Sequence, residues 1–344
     1  MSAAKKSKPF SVLIVGCGAI AGGYDARRPK GAKALGTFTH AGAYLVHGGY
    51  RLAACVEPNA KRRKAFMARF GVARGFASLG ECLEAGLAFD VASVCAPTPA
   101  HAAVLDALLA VPVRAVFAEK PLTGSPSDSR RIVAAYARAG RPLAVNYFRR
   151  FDPAMRRLKD EIAAGAWGRV QGAVGYYGKG IFNCGSHLID LLGYLWGPLE
   201  ARAVLGHIDD YIPGDPTLDA VLEGPGGGLV HLVATDSRAF FDFELQITAD
   251  KGRITIEEQG QRLRVRRVRP SPLFAGYRVL DSGKYRPTGF GTGLVEGVDN
   301  LHRCLGRGEP LLSDGRSALA AEETCAALLA MANSVPTRSS GGKS

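Results

Sequence analysis

Three short segments carry the residue types that do chemistry. Phe117-Ala-Glu-Lys-Pro121 places an amine, Lys120, directly after an apolar strand-like run, with Glu119 beside it and a proline to stiffen the turn. In an open α/β sheet the ligand crevice lies beyond the carboxyl ends of the strands. An amine there can polarise a substrate hydroxyl or lower a neighbour's proton affinity, and Glu119 can pair with a neighbour or with a ribose. The second segment is Asn183-Cys-Gly-Ser-His-Leu-Ile-Asp190, a Gly-bearing turn that enters an apolar helix, with Ser186 as N-cap and His187 in the first turn. The positive end of the helix dipole favours the neutral ring that a general base requires. Asp190, three residues on, shares its face and can hold the imidazole. Each segment also has an ordinary reading, as a surface lysine and a structural histidine. The third segment tips the balance.

Phe10-Ser-Val-Leu-Ile-Val15 runs as an apolar strand into Gly16-Cys-Gly18-Ala19-Ile20-Ala21. In this G-x-G-x-x-A turn Gly16 permits the tight bend and Gly18 lets the backbone approach a pyrophosphate. Ala21 keeps the following helix near the sheet, and that helix offers its N-terminus to the phosphates. A second strand, Arg51–Val56, ends in Glu57, whose carboxylate can accept both ribose hydroxyls of NAD and repels the 2′-phosphate of NADP. The separation from Gly16 exceeds the usual twenty or so residues; a charged, Gly-containing surface loop over 24–39 accounts for the excess. Arg62 and Arg63 can accommodate a 2′-phosphate, but they read as the solvent face of a helix. NAD is therefore favoured over NADP.

Strand and helix signals alternate through the first half and make a doubly wound parallel sheet. Strands are expected at 10–15, 51–56, 91–95, 113–118 and 143–147, and helices at 39–46, 59–70, 79–85, 100–110 and 127–139. The character changes near Phe148-Arg-Arg-Phe-Asp-Pro153. Helix 153–164, strand 170–178 and helix 186–196 lead into a run of strands without intervening helices, at 201–208, 218–222, 228–234, 244–249, 253–257 and 262–269. Such a run predicts a large open, mainly antiparallel sheet, with Asp250-Lys-Gly252 as a hairpin turn. Helices at 294–305 and 316–333 close the chain. The reading divides the chain into an α/β Rossmann domain over 1–147, an α/β substrate and oligomerisation domain over 148–334 and a disordered tail over 335–344.

Taken together, Gly16 to Ala21, Glu119-Lys120-Pro121, Arg150-Phe-Asp-Pro153 and Gly185-Ser-His187-Leu-Ile-Asp190 resemble the Gfo/Idh/MocA family, that of glucose–fructose oxidoreductase and inositol dehydrogenase. The likeness covers nearly the whole chain in order and spacing. It implies an N-terminal Rossmann domain and a C-terminal domain whose open sheet makes oligomer contacts, hence a homodimer or homotetramer. It also implies that Lys120 lies near the nicotinamide and the reacting hydroxyl, that His187 is the acid/base, and that Ala96, Pro97 and Thr98, with His101, line the cofactor cleft. Arg150 falls on the family's pattern as a substrate contact. One position departs from that pattern: the family usually has Asp four residues before the histidine, where this chain has Asn183. An amide accepts no proton, but it can hydrogen-bond a sugar hydroxyl or carbonyl. Some sugar-nucleotide members are similar in carrying Asn there. Tyr176, Tyr177 and Lys179 precede the motif and can line the sugar site.

At 344 residues with 47% hydrophobic content, the chain suits two domains with ample cores. No apolar run is long enough for a membrane span, and the basic N-terminus lacks a secretory signature. Seven cysteines without C-x-x-C spacing fit small core residues, a reducing cytoplasm and no metal site. The formal charge of +13 lies partly in the two tails and partly in Arg262-Leu-Arg-Val-Arg-Arg-Val-Arg269. Without a recognition helix or interleaved aromatics, that stretch reads as a solvated sheet face or an edge guard rather than a nucleic-acid surface. The expected function is NAD-dependent hydride transfer to or from a ring carbon of a nucleotide-linked or otherwise anionic sugar. The alternatives are NAD-assisted glycoside cleavage and a catalytically silent dinucleotide-binding protein. The leading reading requires the glycine turn, the amine at 120 and the imidazole at 187 to serve one coenzyme and one substrate.

Overall fold

A computed structural model describes residues 8–26 and 36–335. Most of the loop expected over 24–39 and nearly all of the tail expected over 335–344 lie outside the described residues. Contacts divide the chain into two compact units, Met1–Phe151 with Gly291–Leu319, and Asp152–Phe290 with Ala320–Ser344.

In the first unit six strands, β1 (Phe10–Val15), β2 (Tyr50–Val56), β3 (Arg74–Phe76), β4 (Phe89–Val94), β5 (Val113–Ala118) and β6 (Leu143–Val145), form one sheet. Their order is β3-β2-β1-β4-β5-β6, and every neighbouring pair is parallel. Runs such as Val12 to Val15 are buried throughout because a parallel sheet is covered on both faces. The connecting helices are α2 (His40–His47), α3 (Ala60–Phe70), α4 (Leu79–Glu84), α5 (His101–Ala110) and α6 (Pro126–Arg138), after a single turn, α1 (Tyr24–Ala26). Thr39, Asn59, Ser78 and Ser125 each accept an amide at the N-terminus of the helix that follows, which is why α2, α3, α4 and α6 start where they do. β3 escapes the pattern reading because its three residues are too few for any periodicity.

The division at 147 does not hold as a single cut. Helix α9 (Gly293–Arg307) brings the chain back to the first unit, where Leu294, Val298 and Leu301 join Phe117 and Phe151 in one core. Tyr50 donates its hydroxyl to the Val298 carbonyl at 2.7 Å, and His47 meets Asp299 at 3.2 Å. The last helix, α10 (Gly315–Ala332), is shared between the two units at Leu319.

The second unit holds α7 (Pro153–Ala163), α8 (Ser186–Leu195) and nine strands. These are β7 (Val170–Tyr177), β8 (Glu200–Ile212), β9 (Asp215–Glu223), β10 (Leu229–Ala234), β11 (Phe243–Ala249), β12 (Gly252–Glu257), β13 (Arg262–Pro270), β14 (Arg278–Leu280) and β15 (Lys284–Pro287). The order is β14-β13-β12-β11-β7-β10-β9-β8, with β15 beside β13; only β7 and β10 run parallel. Ala249 pairs with Gly252, so Asp250-Lys251 is the tight hairpin the sequence suggested. The arginine strand is not an edge: β12 takes one side of β13, and β14 and β15 take the other. Arg262 stacks on Tyr285 at 4.0 Å and pairs with Glu258, while Arg267 covers Trp167 at 3.5 Å. Among the described residues no helix is long and apolar enough to cross a membrane.

Candidate functional site

In the first unit the exit of β1 is built by contact rather than by propensity. Gly16 has φ +89, and a Cβ there would sit 2.7 Å from the Ala96 amide nitrogen, so β1 can pass the end of β4 only with glycine at this position. Gly18, extended at φ −80 and ψ −158, precedes the π-helical turn Ala19–Gly23, and a Cβ on it would meet no atom of the described residues within 4 Å. The space above Gly18 suits a pyrophosphate, and Ala19, Ile20 and the buried Ala21 follow it as that motif requires.

Glu57 closes the same end of the sheet. Its carboxylate accepts the Cys17 amide at 3.0 Å and the Asn59 amide at 3.0 Å, and the residue is 5% exposed. Arg62 pairs with it loosely at 3.4 Å, and Arg63 donates to the Glu57 carbonyl. These two arginines do not simply line the solvent face of α3: the carboxylate and carbonyl at the end of β2 draw both back. Two acceptor positions on Glu57 thus belong to the protein's own backbone, and the remaining lone pairs fit ribose hydroxyls.

Ala96, Pro97 and Thr98 form a half-exposed loop after β4. His101 does not join them as a cofactor contact. It is 1% exposed; Nδ1 lies 3.0 Å from the carbonyls of Pro121 and Leu122, and Nε2 lies 2.8 Å from that of Ala96. The ring is consumed in tying two loops together. Glu119 is engaged by the protein's own groups. Its Oε1 accepts from His40 Nε2 at 2.8 Å and Asn146 Nδ2 at 2.7 Å, and its Oε2 accepts the Lys120 amide at 3.3 Å. Burial opposes charge on both partners. The neighbouring Cys95 and the Glu119 carboxylate nevertheless push the His40 imidazole up to about 10, and His40, Asn146 and Lys120 hold the Glu119 carboxyl below its ordinary value. Lys120 follows, half-buried, joined to Pro121 by a cis peptide bond. Arg150 ends a 3₁₀ turn after β6, next to the fully buried Phe151. Asp152 caps α7 by accepting the Ala154 amide at 2.8 Å, so part of the Arg-Phe-Asp-Pro motif is helix-start chemistry.

In the second unit the helical run begins earlier than expected. A π-helical turn, Ile181–Gly185, precedes α8, and Ser186 donates its hydroxyl to the Phe182 carbonyl at 2.6 Å instead of capping. The cap is Asp215 at the start of β9, whose carboxylate accepts the Phe182 amide at 2.8 Å and the Asn183 amide at 3.0 Å. His187 therefore lies beyond the first turn, where the dipole argument for a neutral ring loses its force. It is 9% exposed, edge-on to Phe243 with centroids 6.4 Å apart. Asn183 is half-buried beside Cys184, and Asp190 is buried one turn past His187 on α8.

Tyr177 is not a wall of a sugar site. It is fully buried, and its hydroxyl donates to the Leu218 carbonyl at 3.0 Å while accepting the Leu218 amide at 2.8 Å. Its neighbour Tyr176, 40% exposed, occupies the outer face of the same strand. Lys179 adopts φ +64 and places Nζ 5.0 Å from the Tyr211 ring and 4.9 Å from that of Phe241. The Lys179 amide donates to Asp210 at 2.9 Å, and the Gly180 amide donates to Thr217, which donates on to Asp210. These donors outweigh burial and hold the Asp210 carboxyl below its ordinary value.

The sequence reading passed over His40, Asn146, Asp210 and Asp215. His40 alone left a local signal: with Ala41, Ala43 and Tyr44 it occupies the buried face of α2, where an ionisable residue needs a partner.

Residues 10–147 match the profile of the Gfo/Idh/MocA group, described as an oxidoreductase family with an NAD-binding Rossmann fold. D-apiose dehydrogenase of Paraburkholderia graminis is 23% identical over 238 residues, 64% of this chain and 59% of that protein. Myo-inositol dehydrogenase Hyg17 of Streptomyces leeuwenhoekii is 32% identical over 162 residues, 47% of this chain and 44% of that protein. The chain thus spans only 59% and 44% of the length of these two curated relatives. Among solved structures, the WlbA dehydrogenase from Bordetella pertussis, in complex with NADH and UDP-GlcNAcA, matches with a TM-score of 0.71 and 22% identity. That match covers 95% of this chain and 97% of the other. KijD10, a 3-ketoreductase from Actinomadura kijaniata in complex with NADP and TDP-benzene, matches with a TM-score of 0.75 and 18% identity over 96% and 100% of the two chains. At these identities the likeness is one of fold.

Proposed function

We propose that this chain, whose residues 10–147 match the profile of an oxidoreductase family with an NAD-binding Rossmann fold, is a nicotinamide-dependent dehydrogenase or reductase of sugars, with NAD as its coenzyme. The observation that carries the reading is the end of β1 and β2, where Gly18 leaves open space and Glu57 is pinned against the Cys17 amide with acceptor positions to spare. Glu57 then receives the ribose hydroxyls and disfavours a 2′-phosphate. Bound nicotinamide supplies hydride acceptance or donation.

The substrate in this reading is a sugar CH–OH. His187 takes the hydroxyl proton in the oxidative direction and returns it in the reductive one, while the Lys120 ammonium stabilises charge developing on that oxygen. Asn183, Arg150, Asp190 and Lys179 bind and orient the sugar. A nucleotide-linked or otherwise anionic sugar is favoured: WlbA, similar in fold, is complexed with UDP-GlcNAcA, and this chain carries a net charge of +13. The same reading makes the protein cytoplasmic and a homodimer or homotetramer assembled through the second unit's sheet, which light scattering tests.

The functional test is a panel of polyols, aldoses and UDP- or TDP-linked sugars, each with NAD⁺ and NADP⁺, followed by the absorbance of reduced nicotinamide. The expected result is stoichiometric NADH from one sugar class. His187→Ala should slow turnover about 10²–10⁴-fold with coenzyme affinity retained. Unchanged turnover in that variant removes the assigned role; a released aglycone without net NADH would establish glycoside cleavage instead.

A further inference from the structure

We propose that two buried histidines, His40 and His101, clamp the loop carrying Lys120 from both sides and act as positioning residues for its amine. The inference rests on the role just given to Lys120, and it lies wholly within the first unit.

On the N-terminal side the clamp is the Glu119 carboxylate. One oxygen takes His40 Nε2 at 2.8 Å and Asn146 Nδ2 at 2.7 Å, and the other takes the amide of Lys120 itself at 3.3 Å. A carboxylate only accepts, so Nε2 carries the proton in this bond. His40 is completely buried; its Nδ1 lies 2.6 Å from Ser93 Oγ at the core of β4, and its ring packs on Phe117 with centroids 4.9 Å apart. Tyr44 donates its hydroxyl to the same Ser93 oxygen at 3.4 Å. Glu119 cannot swing towards a ligand without leaving the buried ring and amide unpaired, which is the expensive outcome in a dry interior.

On the C-terminal side His101 Nδ1 faces the next two carbonyls, those of Pro121 and Leu122, both at 3.0 Å, and Nε2 faces that of Ala96 at 2.8 Å; carbonyls only accept, so the ring bonds both sides when both nitrogens carry protons and one side when it is neutral. Residues 119, 120, 121 and 122 are therefore held through an acceptor, a donor and two acceptors in succession. The anchors come from α2, α5, β4 and the end of β6. Holding the backbone on both flanks sets where the Lys120 Cα sits, and a reacting group displaced by about 1 Å costs on the order of 10²-fold in rate.

The test combines kinetics with amide hydrogen exchange, using the full chain, NAD⁺ and the sugar from the panel above that the wild type oxidises fastest. The variants are His40→Ala, His40→Gln, Glu119→Gln, Lys120→Ala and the double variant of His40→Ala with Lys120→Ala. Exchange in the peptide spanning 118–124 should speed up at least about tenfold in His40→Ala while peptides from β1 and β2 are unchanged. Turnover should fall about 10²-fold with NAD⁺ affinity retained, and His40→Gln, which keeps a donor for Glu119, should recover part of it. In the Lys120→Ala background the His40→Ala change should cost nothing more, because a residue acting through the amine has nothing left to position. A multiplicative loss in the double variant, or unaltered exchange over 118–124, overturns the clamp. If Lys120→Ala alone turns over like the wild type, the role of Lys120 fails and the clamp's function fails with it. Faster exchange in His40→Ala would then show that the contacts hold the loop for stability only. Should His40→Ala not fold, Glu119→Gln and His40→Gln carry the same comparison.

Discussion

Replacing Glu57 by glutamine probes the coenzyme reading where the structure is most explicit. The carboxylate has about four lone-pair positions. Two accept backbone amides, Cys17 on Oε2 and Asn59 on Oε1, both at 3.0 Å, and the contact with Arg62 is long at 3.4 Å and comes from a side chain 55% exposed. Glutamine keeps one oxygen, so its NH₂ must face one of the two amide donors, at a cost of about 1–3 kcal/mol in stability. The bond to a ribose hydroxyl loses its charge assistance, worth about 1.5–3 kcal/mol, so the Kd for NAD⁺ should rise about 10- to 100-fold. For NADP⁺ the sign reverses. A unit charge about 5 Å from a phosphate repels it by about 3 kcal/mol at an effective dielectric constant of about 20, before screening. Removing that charge also frees Arg62 to meet the phosphate. The NAD⁺ preference should therefore collapse by about 10²- to 10³-fold. Titration calorimetry with both coenzymes measures the ratio, and thermal unfolding reads the stability cost separately. In Glu57→Gln with Arg62→Ala, the gain for NADP⁺ should shrink while the loss for NAD⁺ persists. An unchanged ratio in Glu57→Gln would refute the argument, because it would mean that Glu57 serves only Cys17 and Asn59.

Gly16→Ala forces a side chain onto φ +89 and to within 2.7 Å of the Ala96 nitrogen, so it should cost about 1–3 kcal/mol in urea unfolding and abolish coenzyme binding. Tyr177→Phe leaves both backbone groups of Leu218 without the hydroxyl, which should lower stability by about 1–3 kcal/mol with KM for the sugar unchanged; a raised KM at full stability would restore Tyr177 to the substrate site. His40 titrates upward to about 10 from 6.5, so its stabilisation is complete below 6.5 and fades as pH climbs towards 10. Glu119 is shifted down from 4.5, so its contribution is present above 4.5 and fades as pH drops below it. Urea midpoints should therefore fall on the alkaline side by a few kcal/mol equivalent, and His40→Ala should flatten that limb. A limb of the same slope in the variant would assign the alkaline loss to another group.

Much of this protein is legible one residue at a time. The strand at 10–15, the turn at 16–21 and the acidic residue at 57 are local patterns, each a consequence of backbone sterics and apolar burial along a few consecutive positions. The hairpin at 250–251 is legible for the same reason, and so are helix starts such as Asn59. The reading went astray wherever a residue's partner lies far along the chain. His101 and Glu119 resemble cofactor contacts in sequence, and the structure gives each a protein partner the sequence did not name: carbonyls twenty residues away for the first and a histidine 79 residues earlier for the second. Ser186 resembles a cap, but Asp215 does the capping. Tyr176 and Tyr177 are adjacent and chemically identical, and which one is buried depends on the pleat of β7 within its sheet.

By itself the sequence determined the alternation of elements, the glycine turn and the inventory of reactive groups, because those follow from local sterics and from hydrophobic period. Only the tertiary structure decided which of those groups are spent inside the protein and which are left over for a ligand. That choice depends on which buried donor meets which buried acceptor, and long-range packing alone brings the two together.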